Sequence, residues 1–265
     1  MLTLASDFGS PYPAAMKGVV CSRTDARLVD VAHDLPRQDP RAAAFWLRET
    51  LPYFPPAVHL AVVDPGVGTD RRAIALRVGD HALVAPDNGL VRPVARRLTD
   101  QQAETAEADL TVTAYEITVE DPDSSTFHGR DVFAPAAAEI HEVGVDRIAS
   151  VDLLSPIDLD ACVDLRFPEP TRDGETIHGE VLVVDDFGNV ITNIPGEALA
   201  GVESATVNGI SAPVVDTFDR VGAGDRLLTV GSHGYVECDV NRGRGEAAFG
   251  LEAGDAVDLV VDGRG

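Results

Sequence analysis

Lysine is nearly missing from this chain: Lys17 is the one lysine in 265 residues, and every other basic side chain is an arginine. Bases of both kinds number 21 against 44 acids, a net charge of −23. So acidic a surface repels nucleic acid and anionic lipid, and neither is expected as a partner. Cysteine is scarce and odd in number. Cys21, Cys162 and Cys238 are scattered, which argues against a disulfide framework or a zinc site and casts them as small buried apolar residues. No apolar run approaches the roughly 18 residues of a membrane span. The chain opens directly on strand-like Leu2-Thr3-Leu4-Ala5, without a basic or apolar leader, so a cytoplasmic protein with no membrane contact is expected.

Several nucleotide motifs are missing too. Lys17 sits in Met16-Lys17-Gly18, so there is no Gly-Lys-Ser/Thr phosphate loop. Ser6-Asp7-Phe8-Gly9-Ser10 after the first strand lacks the three-glycine spacing of a dinucleotide site. A serine elbow flanked by glycines is not found either. A metal held by Asp7, Asp64 and His128 stays an alternative, but no tight ligand motif supports one and none is expected.

What is present is an ordinary globular composition, 45% hydrophobic, in a chain long enough to bury a substantial core. The charge is uneven. Residues 1–100 carry 11 acids and 12 bases, whereas residues 101–265 carry 33 and 9. A surface of this kind stays folded most readily where salt screens its self-repulsion. The composition therefore predicts the acidic proteome of a halophile, with a high-salt cytoplasm.

Strand and helix patterns alternate through the first half. Strands are expected at Leu2–Ala5, Leu28–Val31, Val58–Val63, Ala73–Val78, Ala82–Ala85 and Tyr115–Val119. Helices are expected at 13–22, 40–51, 90–98 and 132–143, two of them opened by Pro13 and Pro40. This order predicts βαβ units and an α/β domain with a largely parallel sheet over residues 1–160. After Pro168-Glu169-Pro170 the texture changes to six short strand-like runs separated by glycine-rich turns, with no strong helix period. Residues 161–265 are therefore expected to form an all-β, barrel-like domain.

The stretch with most chemical promise is Ala61-Val62-Val63-Asp64-Pro65-Gly66-Val67-Gly68-Thr69-Asp70-Arg71-Arg72. A buried strand ends in a carboxylate, and proline and glycine then stop it. Ligands of open α/β sheets sit outside the carboxyl ends of strands, where Asp64 and Arg71 would stand. A tight turn with an ordinary ion pair reads equally well. Three further loops carry polar residues: Ser6-Asp7-Phe8-Gly9, Asp87-Asn88-Gly89 and His128-Gly129-Arg130-Asp131. Singly, Asp7 or Asp87 is more economically a helix cap, and Arg130 with Asp131 a local ion pair. In the second domain, Asp185-Asp186-Phe187-Gly188-Asn189 and Gly231-Ser232-His233-Gly234-Tyr235 read first as turns.

Taken in order, these segments resemble the S-adenosyl-L-methionine (SAM) hydroxide adenosyltransferases, the SAM hydrolases related to fluorinase and chlorinase. The likeness runs through Ser6-Asp7-Phe8-Gly9, Met16-Lys17-Gly18, Val63 to Thr69, Ala85-Pro86-Asp87-Asn88-Gly89-Leu90, Phe127 to Asp131, Asp186 to Asn189 and Gly231 to Tyr235. It implies a homotrimer whose sites lie between one subunit's N-domain and a neighbour's C-domain. It also implies a catalytic set of Asp64, Arg71 and His128, with Asp7 on the ribose hydroxyls and Asp185, Asn189 and Ser232 on the methionine and adenine ends. SAM would be the substrate, adenosine and methionine the products, and no cofactor is called for. Two departures stand out: the loop after Asp7 is shorter than usual, and Arg242 and Arg244 interrupt the small residues after Asn241.

The set makes chemical sense. The sulfonium of SAM departs as a neutral thioether and needs no acid, so the difficulty lies in aligning a weak nucleophile, water. A carboxylate or imidazole bonded to that water serves the purpose. The rivals are a halogenase, in which desolvated halide would be repelled by Asp64, and a non-catalytic SAM or adenosine sensor, which would keep Asp7 and Asn189 but has no use for the Asp64, Arg71 and His128 set.

Overall fold

The computed structural model describes residues 1–103, 111–119 and 124–261. It divides into two compact units, Met1–Arg166 and Phe167–Gly265.

Unit 1 is built on a seven-stranded sheet. Its strands are β1 (Leu2–Ser6), β2 (Leu28–Ala32), β3 (Val58–Val62), β4 (Ala73–Val78), β5 (His81–Pro86), β6 (Thr113–Ile117) and β7 (Leu154–Ile157). They run in the order β2-β1-β3-β5-β4-β6-β7. The pairs β2/β1, β1/β3 and β3/β5 are parallel, and β4, β6 and β7 add on antiparallel. Strands β1, β3 and β5 are buried at every position, which is why they read as unbroken apolar runs rather than alternating ones. The helices are α1 (Tyr12–Cys21), α2 (Pro40–Thr50), α3 (Arg92–Ala103) and α4 (Ala134–Val143). Asp39 caps α2 by accepting from the backbone N–H of Arg41 and Ala42, each at 3.0 Å. Met16 and Val20 of α1 and Phe133 to Ile140 around α4 pack on Leu2, Leu4, Val58 and Leu60, forming one core on one face of the sheet. Thr3 and His59, alternating with these, point to the other face. Cys21, expected to be buried, is exposed because it closes the last turn of α1 on the solvent side; Cys162 and Cys238 are buried.

Unit 2 is almost entirely antiparallel. Its strands are β8 (Thr171–Asp173), β9 (Thr176–Val184), β10 (Val190–Pro195), β11 (Ser204–Val207), β12 (Ile210–Pro213), β13 (Arg226–Val230), β14 (Tyr235–Val240) and β15 (Ala256–Val261). The order is β12-β11-β15-β9-β10-β14-β13, with β8 beside β9. A bridge between Val214 and Leu228 and the 3.0 Å bond from Val215 N–H to the Leu228 carbonyl draw the two edges together, nearly closing a barrel. One short helix, α5 (Gly245–Phe249), interrupts the strands and stops at Gly250, whose φ is +65°. Among the described residues no helix is long and apolar enough to cross a membrane.

Candidate active site

The site of unit 1 lies at the carboxyl ends of β1 and β3, as the rule for open α/β sheets requires. A cavity of about 600 Å³ opens there, walled by Asp7 and Phe8 after β1, Asp64 after β3, and Phe127 and His128 before α4. Tyr12 of α1 completes the aromatic side, its ring 5.6 Å from Phe127 and edge-on to it.

The loop after β3 behaves as its composition demands. Gly68 adopts φ +79°, and a Cβ there would stand 2.9 Å from the carbonyl oxygen of Ser125, so glycine lets this loop close against the segment leading to His128. Arg71 turns back on Asp64 with a two-pronged grip. Its Nε donates to Oδ1 at 3.0 Å and its Nη2 donates to Oδ2. Both side chains are largely withdrawn from solvent, at 10% and 4% exposure, and the guanidinium also lies 5.3 Å from the Phe133 ring. Arg71 thus stands behind Asp64 rather than on the cavity wall. The carboxylate is fixed in direction and keeps its charge matched.

The Asp87-Asn88 turn reinforces the same point. Asn88 Nδ2 donates to the Val63 carbonyl at 2.9 Å, immediately before Asp64. Asp87 accepts from Arg72 Nε and Nη2 at 3.0 and 2.7 Å and from Val163 N–H at 2.8 Å. Asp87 is therefore a latch on the residue next to Arg71 and not a helix cap. Asp7 is no cap either: α1 has no side-chain cap, and Asp7 Oδ2 accepts from the Gln38 backbone N–H at 2.8 Å. The ordinary reading of Arg130 and Asp131 does hold, with Nε and Nη2 at 2.5 and 2.7 Å from the two carboxylate oxygens.

His128 precedes a single π-helical turn, Gly129–Phe133, that leads into α4. Such turns recur at functional sites because the extra residue re-aims a side chain. Gly129 permits close packing here, since a Cβ would lie 3.1 Å from the Phe8 ring and 3.2 Å from Met16 Sδ. The structure thus brings Asp7, Asp64 and His128 to one cavity with Arg71 behind it. The aromatic wall of Tyr12 and Phe127, and the Gln38 backbone contact, were not foreseen. A single Tyr at the start of a helix, or a single Phe in a loop, carries no spacing that would announce it.

In unit 2, Asp185 and Asn189 form one closed turn. The Asn189 backbone N–H donates to Asp185 Oδ1 at 2.8 Å, and its Nδ2 donates to Oδ2 at 3.0 Å. Phe187, at its tip, is 79% exposed. Ser232 is exposed in the turn between β13 and β14. Among the described residues no group of three His, Cys, Asp or Glu side chains is arranged to hold a metal ion.

Two family models match the chain: the SAM hydroxide adenosyltransferase N-terminal domain over residues 2–149 and its C-terminal domain over residues 179–258. Proteins named (R)-S-adenosyl-L-methionine hydrolase are similar along nearly the whole length. That of Salinispora tropica is 40% identical, over 98% of this chain and 97% of its own. That of Thermus thermophilus is also 40% identical, over 96% and 97%. Among solved structures, an uncharacterized conserved protein from Thermotoga maritima superposes with a TM-score of 0.79 at 31% identity, over 98% of this chain and 100% of that one.

Proposed function

This chain belongs to the SAM hydroxide adenosyltransferase family, and we propose that it hydrolyses SAM to adenosine and L-methionine. The observation that carries this reading is the meeting of Asp64, held by the Arg71 fork, with His128 and Asp7 on one cavity. A water seated between Asp64 and His128 attacks the ribose 5′ carbon. The new C–O bond forms as the C–S bond breaks, its electron pair neutralising the sulfonium, and one proton passes from the water to the Asp64 and His128 pair. Asp64 also places negative charge near the cationic sulfur. Asp7 offers its second carboxylate oxygen to the ribose hydroxyls. The methionine and adenine ends fall to Asp185, Asn189 and Ser232, supplied by a second copy in a homotrimer. We place the enzyme in a high-salt cytoplasm on the strength of its charge.

The test is incubation with SAM in ¹⁸O-labelled water, with chromatography and mass analysis of the products. Adenosine carrying one label at its 5′ oxygen, together with methionine, is the expected result. A 5′-halogenated adenosine would assign the chain to halogenation, and bound but unconverted SAM would make it a sensor. Asp64→Ala and His128→Ala should each lower turnover by about a hundredfold or more while SAM still binds. Wild-type rates in both would remove the catalytic assignment.

A further inference from the structure

We propose that His33, through Ser6, is a positioning residue for Asp7 and so sets how the ribose is gripped. The inference rests on the reading of Asp7 as the ribose contact.

Four side chains stand in line across β1, β2 and α1. Lys17 Nζ donates to Asp30 Oδ2 at 2.6 Å, His33 Nε2 lies 3.0 Å from Asp30 Oδ1, and His33 Nδ1 lies 2.8 Å from Ser6 Oγ. The chain's single lysine is thus committed to this line. Burial pushes the Asp30 carboxyl up, but hydrogen bonds from Lys17 and His33 outweigh it and hold the group below its usual range. An ionised carboxylate only accepts, so His33 Nε2 carries the proton that faces Asp30, and we assign Nδ1 as the acceptor of the Ser6 hydroxyl.

The order Ser, His, Asp invites a nucleophile, but Ser6 is fully buried and stands off the cavity wall, so it cannot reach a substrate. Its position in the chain gives it a different use. Asp7 follows Ser6 directly, and the loop after β2 is stitched to this corner of β1 at three further points. Leu35 N–H donates to the Ser6 carbonyl at 3.2 Å, Gly9 N–H to the His33 carbonyl at 2.8 Å, and Gln38 N–H to Asp7 Oδ2 at 2.8 Å. The last bond occupies one carboxylate oxygen. Among the described residues nothing bonds the other, which is left for a ligand. His33 therefore anchors both segments that aim Asp7 without touching the cavity itself.

The conservative variants separate the two ends of the imidazole. His33→Asn keeps an acceptor where Nδ1 faces Ser6, and His33→Gln keeps only a donor where Nε2 faces Asp30. With wild type active, His33→Ala should raise KM for SAM about tenfold, the equivalent of one hydrogen bond, with kcat changed far less. His33→Asn should restore KM and His33→Gln should not. The preference of wild type for SAM over its 2′-deoxyadenosyl analogue should also shrink in His33→Ala. Unchanged KM and preference in a folded His33→Ala, or rescue by Gln rather than Asn, would overturn the assignment. If His33→Ala fails to fold, the Asn and Gln pair decides alone. Should wild type release no adenosine, the hydrolase reading fails. Equilibrium binding of adenosine against 2′-deoxyadenosine to wild type, His33→Asn and His33→Gln then judges His33 independently.

Discussion

The two units each bury an ionisable cluster whose uncharged form burial favours, but one is made of imidazoles shifted down and the other of carboxyls shifted up. In unit 1, Thr3 Oγ1 lies 2.8 Å from His59 Nδ1, and His59 Nε2 lies 2.9 Å from His81 Nδ1, with the two rings stacked 11° from parallel. Burial, and then the neighbouring His81, pushes His59 down to about 3; burial lowers His81 as well, against a smaller opposing pull from Asp80. In unit 2, alternation along β14 turns Val236 and Cys238 into the core and Glu237 and Asp239 to the opposite face. Burial, and then the Asp185 charge, pushes Glu237 up to about 7. Burial, then Glu237 and Asp185, pushes Asp239 up to about 8, and neither Asp239 carboxylate oxygen has a partner among the described residues. Two carboxylates at the site of unit 1 are treated otherwise: Asp64 and Asp87 each receive an arginine. There a cation is built beside the carboxylate, whereas on β14 none is and burial favours the protonated form.

The sharpest way to break this contrast is to give unit 1 the predicament of unit 2. Arg71→Ala leaves Asp64 buried without its cation, and loss of one partner from a buried pair costs roughly 3–5 kcal/mol. Turnover should collapse alongside, because the carboxylate loses its aim. Urea unfolding of unit 1 checks the first effect, and Trp46 on α2, the chain's one tryptophan, reports on that unit alone. A wild-type unfolding midpoint would mean that the fork contributes nothing. Arg71→Lys should fall between, keeping charge but losing the fork.

Next in size is a crossed response to pH. The folded-state values of Glu237 and Asp239 lie above the ordinary 4.5 and 3.8, so unit 2 is most stable below about 4 and loses stability as pH rises through about 7 and 8. His59 and His81 are lowered from 6.5, so unit 1 has its full stability above 6.5 and loses it as pH falls towards about 3. Each effect is of the order of a few kcal/mol. Acid should therefore unfold the unit seen by Trp46 first. Raising pH from about 4 to about 8 should weaken the β-signal of unit 2, and Asp239→Asn should flatten that loss. Parallel titration of both signals, or an unaltered loss over that range in Asp239→Asn, would show that the two clusters are not the groups responsible.

The same contrast explains what could be read in advance. Fully buried strands such as β3 announce themselves as apolar runs, and the turn residues after them mark where the site must be, so Asp64, Arg71 and the α/β frame were legible. Short or polar elements were not. Strand β7 carries Pro156 and survives because it is the sheet's edge, where a missing N–H is tolerated. Strand β8 is Thr171-Arg172-Asp173, exposed throughout, and α5 spans five residues, too few to display a helical period. Clusters such as His59 with His81, or Glu237 with Asp239, depend on register between strands and facing of side chains. Nothing local in the sequence reports either.

The smallest expected effect is that of salt. Unit 1 holds 26 acids and 15 bases, and the 99 residues of unit 2 hold 18 and 6, so the shorter unit carries the denser unbalanced charge. Exposed charges interact weakly, at about 1 kcal/mol or less per pair, and the screening length falls from about 10 Å at 0.1 M to about 3 Å at 1 M. Raising salt should then lift the unfolding midpoint of unit 2 more than the midpoint reported by Trp46, at a fixed pH near 6 where neither buried cluster is at its worst. Equal shifts would detach the charge from the division into units. Identical stability in dilute buffer and molar salt would go further: the acid excess would then have no bearing on folding, and adaptation to a high-salt cytoplasm would lose its physical basis.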